Sequence, residues 1–274
     1  MTVEPFRSGD IGPFLKLATA EGWVAEAWEF DFLLSEFPQG CFAARIDSGV
    51  TAGFVTSLLH QRSGWIGNLL VAEQFRGRGL GEALFKKALA SMQMAGAQTI
   101  WLTASKAGAP LYVKHGFGSI DTVVRWVGTG RQRYEVLNCH KDGNAVGTAV
   151  NGIDSQAWGD RRDALLAATI GRGRLLLDDS GFAVIQSCGE ARQFGPFTAL
   201  DSDAGERLFD AALRTVPLGA KIYLDSPACN RAALRMFNRR RMRISGSTEL
   251  MYAGVRPDYR PELLYGLATM GSCG

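Results

Sequence analysis

A chain of 274 residues, 46% of them hydrophobic, has enough apolar material for one large core or two smaller ones. Its net charge of +3, from 30 basic and 27 acidic residues, makes no electrostatic case for nucleic acid or an anionic membrane as partner, though a small anionic ligand stays open. Five scattered cysteines, Cys41, Cys139, Cys188, Cys229 and Cys273, form no C-x-x-C pair and have no histidine at ligand spacing, which predicts reduced thiols in a cytoplasm and no metal site.

The start, MTVEPFRSGD, lacks the charged and apolar regions of a signal peptide, and no apolar run approaches the ~20 residues of a membrane span. RSGDIGPFLKLATAEGW predicts a first helix capped near Ser8 or Asp10, and AWEFDFLLSEF a second, ended by Pro38. CFAARID, TAGFVTSLLH and SGWIGNLLV are short β-rich runs separated by turn residues, the pattern of an antiparallel meander. The period then changes: Leu84, Phe85, Ala88, Leu89 and Met92 recur at helical steps, so the hexamer RGRGLG, Arg76–Gly81, joins a strand to a helix. A strand TIWLTAS, a short helix APLYVKHG and a strand SIDTVVRWVG complete a first domain, residues 1–135. An aperiodic stretch rich in Gly, Asn and charge supplies a linker, 136–149. The second domain, 150–274, reads as a helix SQAWGDRRDALLAAT, strands RLLLDD, GFAVIQSC and ARQFGPFTAL, a helix AGERLFDAALRTV, a strand KIYLD, a helix NRAALRMFNRRR, a strand SGSTELMYAGV and a helix PELLYGLAT.

The halves repeat each other. GEALFKKAL at Gly81–Leu89 matches GERLFDAAL at Gly205–Leu213, each followed by a similar strand, TIWL or KIYL. Further on, APLYVKHGF faces AALRMFNRRRM, which sets Phe237 opposite Tyr112 and Met242 opposite Phe117. The glycine hexamer aligns with LDSDAG, so Asp201 and Asp203 stand where the first copy has Gly77 and Gly79; those aspartates also suit helix capping.

A helix start leaves main-chain N–H groups unpaired at the positive end of the macrodipole, and glycines without Cβ let an anion approach them. Gly77, Gly79 and Gly81, with Arg76 and Arg78 at the rim, thus suit a pyrophosphate; a tight strand-to-helix turn is the plainer alternative. The Lys-Ser/Thr of a nucleotide phosphate loop is absent, which disfavours a nucleotide-dependent hydrolase, and a G-x-G-x-x-G dinucleotide fingerprint fails at Glu82 or Leu84. The spacing R-x-x-G-x-G, with NLLVAEQF before it and LYVKHGF after it, resembles the GNAT N-acetyltransferases. That resemblance implies an α/β fold of two GNAT-like domains, each a mixed, mostly antiparallel sheet flanked by helices, the second degenerate. It implies acetyl-coenzyme A held by Leu69, Leu70, Val71, Arg76, Gly77, Arg78, Gly79, Leu80, Gly81 and Glu82, with Tyr112 protonating the leaving sulfur. Phe237 cannot donate a proton, and Asp201 and Asp203 would repel a pyrophosphate, so one active site per chain is expected.

The implied reaction is acetyl transfer to a primary amine of a small molecule. A protein N-terminus or lysine is the alternative acceptor, and a non-catalytic acyl-coenzyme A sensor is the reading from another class. Glu29, Glu73 and His115 are candidates for the base; Asn68 and Trp65 on the strand before the loop could meet substrate. Asn238–Arg243, NRRRMR, reads as a solvent-facing basic helix end, and the other tryptophans as core or pocket wall.

Overall fold

The computed structural model describes residues 2–46, 49–130 and 143–274, with side chains from 147 onward in the last stretch. The first half comprises β1 (Thr2–Pro5), α1 (Ile11–Ala20), α2 (Ala27–Glu36), β2 (Phe42–Arg45), β3 (Thr51–Leu59), β4 (Ser63–Val71), α3 (Leu80–Met94), β5 (Thr99–Ala104), α4 (Ala109–Lys114) and β6 (Gly118–Thr129). The second comprises α5 (Gly143–Trp158), α6 (Asp163–Arg172), β7 (Arg174–Asp178), β8 (Gly181–Cys188), β9 (Ala191–Ala199), α7 (Ser202–Arg214), β10 (Lys221–Pro227), α8 (Arg231–Arg239), β11 (Arg243–Gly254) and β12 (Leu264–Gly266). The predicted linker lies outside the described residues as far as 142; from Gly143 the chain is already helical.

The two predicted sheets are one. Its strand order is β1-β2-β3-β4-β5-β11-β6-β10-β9-β8-β7, with β12 added on β9. One strand of each half, β6 and β11, has crossed to the other: β5 takes β11 as neighbour, β10 takes β6, and β6 and β11 pair antiparallel in the middle. The order β4-β5-β11-β6-β10-β9 therefore reads the same from either end once the copies are exchanged. The strand runs themselves are as their composition dictates, Val, Ile, Phe and Trp on pleats buried on both faces where helices cover the sheet.

Parallel pairing is brief in both halves. β4 meets β5 only from Ser63–Trp65 to Thr99–Trp101, then continues to Val71 without it, which leaves a wedge. In the second half β9 meets β10 through Arg192 and Gln193, and beyond them β12 lies in the wedge, Leu264 opposite Thr198 and Gly266 opposite Phe197.

Three differences from the sequence reading have physical causes. The single helix expected over 155–169 is two, broken at Gly159 (φ 69°). The polar residues at the break serve the fold: Asp160 accepts from the N–H groups of Arg62 and Ser63 (3.1 and 2.8 Å), and Arg162 pairs with buried Asp154 at 2.9 and 2.8 Å. PELLYGLAT is no helix but a 3₁₀ turn, Pro261–Leu263, followed by β12, because β9 and the Asn230 amide, 2.8 Å from the Leu264 carbonyl, capture its main chain. β1, too short for a periodic signal, pairs with β2.

The cores interlock at the junction. Trp65 and Trp101 of the first half stand edge-on to Trp158 of the second, centroids 6.2 and 5.6 Å apart, with Leu250, Leu263, Leu264 and Leu267 around them. Ala268 and Cys273 are buried among Phe6, Phe14, Phe30 and Leu33 of the first half.

Candidate active site

The glycine hexamer follows a 3₁₀ turn, Glu73–Phe75, and runs into the first two residues of α3. Gly77 and Gly79 have φ of 74° and 77°, and no atom lies within 4 Å of where a Cβ would stand, so glycine supplies both the left-handed backbone and the open approach. Gly81 differs: a Cβ there would rest 3.7 Å from Val71, an ordinary contact. Gly79 is the N-cap of α3 with no side-chain cap, and the first returning bond runs from Ala83 N–H to the Gly79 carbonyl at 3.0 Å. Among the described residues no main-chain carbonyl outside α3 accepts from the N–H groups of Gly77 to Glu82. A run of donors at the positive end of a fifteen-residue helix fits a pyrophosphate.

The charged side chains divide. Arg78 is exposed, its guanidinium 5.7 Å from the Phe75 ring centroid. Arg76 is committed elsewhere than the expected rim: its Nε donates to the Val71 carbonyl at 2.9 Å, Nη2 pairs with Glu21, and its N–H bonds Glu73. Glu82 contributes its N–H to the loop, while its carboxylate meets Lys114, Lys86 and His115, at 2.9, 3.0 and 3.2 Å. Lys114 and then Lys86 hold that carboxyl down to about 2.

The strand before the loop is bulged. Thr56 faces Gly67 and Phe54 faces Leu70, so Asn68 and Leu69 oppose one residue of β3. Asn68 takes φ 54°, a conformation asparagine tolerates, and its amide donates to Thr56 Oγ1 at 3.0 Å. Leu69 and Asn68 line a cavity; Leu70 turns into the core, and the carbonyl of Val71 is occupied by Arg76. Trp65 is a core residue, not a pocket wall.

That cavity, of about 500 Å³, gathers Glu29, Tyr112 and Thr103 from the first half, Tyr223, Asp225 and the stretch 245–248 from the second, and Met270–Ser272. Tyr112 packs its ring edge-on against Phe85 at 5.0 Å, and burial pushes its phenol up to about 12. Glu29 is the one of the three candidate bases that lines the cavity. Glu73 is exposed, and His115 is turned to Glu82. Burial raises the Glu29 carboxyl to about 7, against the Ser272 hydroxyl, which donates to it. Arg125 of β6 faces Asp225 of β10 across the exchanged strands, Nε–Oδ1 2.8 Å and Nη2–Oδ2 2.6 Å. Arg125, Asp225 and Ser272 escaped the sequence reading, since the strand exchange joins the first two and the segment after β12 brings the third. Among the described residues no group of three His, Cys, Asp or Glu could hold a metal ion.

The equivalent position in the second half is closed. α7 starts earlier than α3 does, and Asp201 caps it, accepting from Ala204 N–H at 2.8 Å. Phe237 takes the place of Tyr112: Met242 N–H bonds its carbonyl as Phe117 N–H bonds that of Tyr112, both at 3.1 Å. Tyr265 fills the wedge, stacked on Phe197 with centroids 5.0 Å apart and so near Gly205 that an added Cβ would lie 2.5 Å from the ring.

Two family models match the chain: the acetyltransferase (GNAT) family over residues 13–117 and an acetyltransferase (GNAT) domain over 150–266. Among solved structures, a candidate acetyltransferase from Pyrococcus horikoshii superposes with a TM-score of 0.83 at 22% identity, over 100% of this chain and 95% of that one. A GCN5-related N-acetyltransferase from Sphaerobacter thermophilus gives 0.66 at 15%, over 97% and 98%. The GCN5-related glucosamine N-acetyltransferase region of a fungal multi-domain β-N-acetylglucosaminidase gives 0.68 at 14%, over 92% of this chain and 38% of that one. No curated protein matches. At such identities the structures establish the fold, and the two family matches, which together span most of the chain, establish the rest: the chain belongs to the GNAT acetyltransferase family as a tandem of two such domains, and is an acyltransferase.

Proposed function

We propose that the chain transfers acetyl from acetyl-coenzyme A to a primary amine of a small molecule, at a single site in its first half. The observation that carries this reading is the meeting of Glu29 and Tyr112 in one cavity beside the bulge of β4. Acetyl-coenzyme A supplies an activated acetyl thioester when bound, its pyrophosphate suiting the donors from Gly77 to Glu82. The chain's own groups divide the proton work. A carboxyl poised near 7 is ionised in part at neutral pH and can take the proton from the acceptor nitrogen. The Tyr112 phenol, pushed up to about 12 by burial, is protonated at neutral pH and has a proton to give the departing sulfur. In this reading the main-chain N–H groups of Leu69–Val71, on the strand that bulges, polarise the acyl carbonyl.

The second half walls this cavity with Tyr223, Asp225 and Met270–Ser272, which suits a compact amine better than an extended polypeptide. Free Cys41, Cys188, Cys229 and Cys273 agree with a cytoplasmic setting.

Thiol release from acetyl-coenzyme A across a library of amino acids, polyamines, amino sugars and peptides tests the proposal. One class of small amines should stand above peptides. With the best acceptor, Tyr112→Phe and Glu29→Gln should each lower kcat by roughly 10²-fold or more. Acetyl-coenzyme A binding with no acceptor turned over would favour a sensor, and preference for peptides would overturn the small-molecule assignment.

A further inference from the structure

The segment 264–274 connects the filled wedge of the second half to the cavity of the first. Leu264–Gly266 lie along β9, and Leu267 N–H then bonds the Asp225 carbonyl at 2.8 Å. The remainder turns back on itself, Cys273 N–H to Thr269 Oγ1 at 2.9 Å and Ala268 N–H to the Gly274 carbonyl at 2.9 Å. Three groups of the first half hold this turn. Trp65 Nε1 donates to the Gly271 carbonyl at 3.3 Å, and Arg125 Nη2 to that of Met270 at 3.2 Å. Gly67 is bare where the turn crosses it: an added Cβ would come within 2.3 Å of the Ser272 carbonyl oxygen. At the end of the strap the Ser272 hydroxyl donates to Glu29 Oε2.

We propose that Ser272 is the positioning residue for Glu29, delivered by a strap whose anchor is the second half's own filled acyl-coenzyme A wedge. The hydroxyl engages one carboxylate oxygen and leaves Oε1 to receive the acceptor's proton. The role deepens the reading of Glu29 as base and rests on it. It also gives the degenerate copy a function, since its lost ligand site has become the fixed end of a support for the surviving one. The other groups around Glu29 are Glu26 at the start of its own helix α2, Arg172 at the end of α6, Cys188 at the end of β8, and Cys273, which follows Ser272 on the strap and gives its thiol to the Ser272 hydroxyl at 3.5 Å. Of these the Glu26 carboxylate opposes ionisation, while the Glu26 main chain and Arg172 favour it; the Ser272 hydroxyl favours it more than either, so its loss has a defined sign.

The test is a carboxyl NMR titration of the full-length protein labelled with ¹³C at glutamate Cδ, Glu29 being assigned by the resonance that Glu29→Gln removes. The wild-type resonance should titrate near 7. Ser272→Ala should move its midpoint up by about one pH unit, Ser272→Thr should bring it back, and the acidic limb of kcat for the best library amine should follow. If Ser272→Ala does not fold, Ser272→Cys, near-isosteric with a weaker donor, should move the midpoint in the same direction by less. Titration of Glu29 in the ordinary carboxylate range in the wild type would sink the base assignment itself. A midpoint near 7 that neither Ser272 variant moves would overturn the positioning role and leave the base standing.

Discussion

Glu29 sits where an ionised carboxylate is costly. Burial raises it most, the Glu26 carboxylate adds repulsion, and the Ser272 hydroxyl, the Glu26 main chain and Arg172 only partly compensate. The folded protein therefore binds this proton more tightly than the unfolded chain does. The stability gained from the neutral carboxyl is complete below about 4.5 and is lost as pH climbs through about 7, up to roughly 3 kcal/mol in all. Glu29→Gln, isosteric and uncharged, should raise the melting temperature at pH 8 and leave it nearly unchanged at pH 5, even as it removes activity. Equal gains at both pH values would trace the effect to packing instead of charge. The sequence could nominate Glu29 but not separate it from Glu73 or His115. What isolates it is burial under residues more than a hundred positions away, and a single helix of ten residues carries no sign of that.

Among the elements, the loop and its flanking strand and helix were legible because their signals are local: glycines at positive φ, a period change, a helix start without a cap. β12 was not, because LLYGLA satisfies an apolar helix as readily as a strand, and only the main chain of β9 decides between them. The same limit hid the exchange of β6 and β11, since either strand would pair acceptably within its own half. The occupied wedge makes a sharp prediction. Tyr265→Ala should cost on the order of 3 to 5 kcal/mol in denaturant titrations, as expected for a large buried ring. It should still create no second site for acetyl-coenzyme A, because Asp201 still holds the Ala204 N–H and sets its carboxylate at the start of α7. Calorimetry reading two equivalents per chain in that variant would contradict this account of the degenerate copy.

For the molecule as a whole, each half completes its sheet only with a strand of the other, so unfolding should be one cooperative transition seen alike by every probe. Fragments 1–135 and 143–274 should be unstable alone and should combine when co-expressed; two separate melting transitions would argue against the shared sheet. The junction also carries its own optical marker. Trp65 and Trp101 belong to one fragment and Trp158 to the other, crossed at 81° and 90° and close enough for their excited states to mix. A paired near-ultraviolet dichroism band should exist only while the halves are docked. That would make assembly of this protein measurable without a label and before any substrate is in hand.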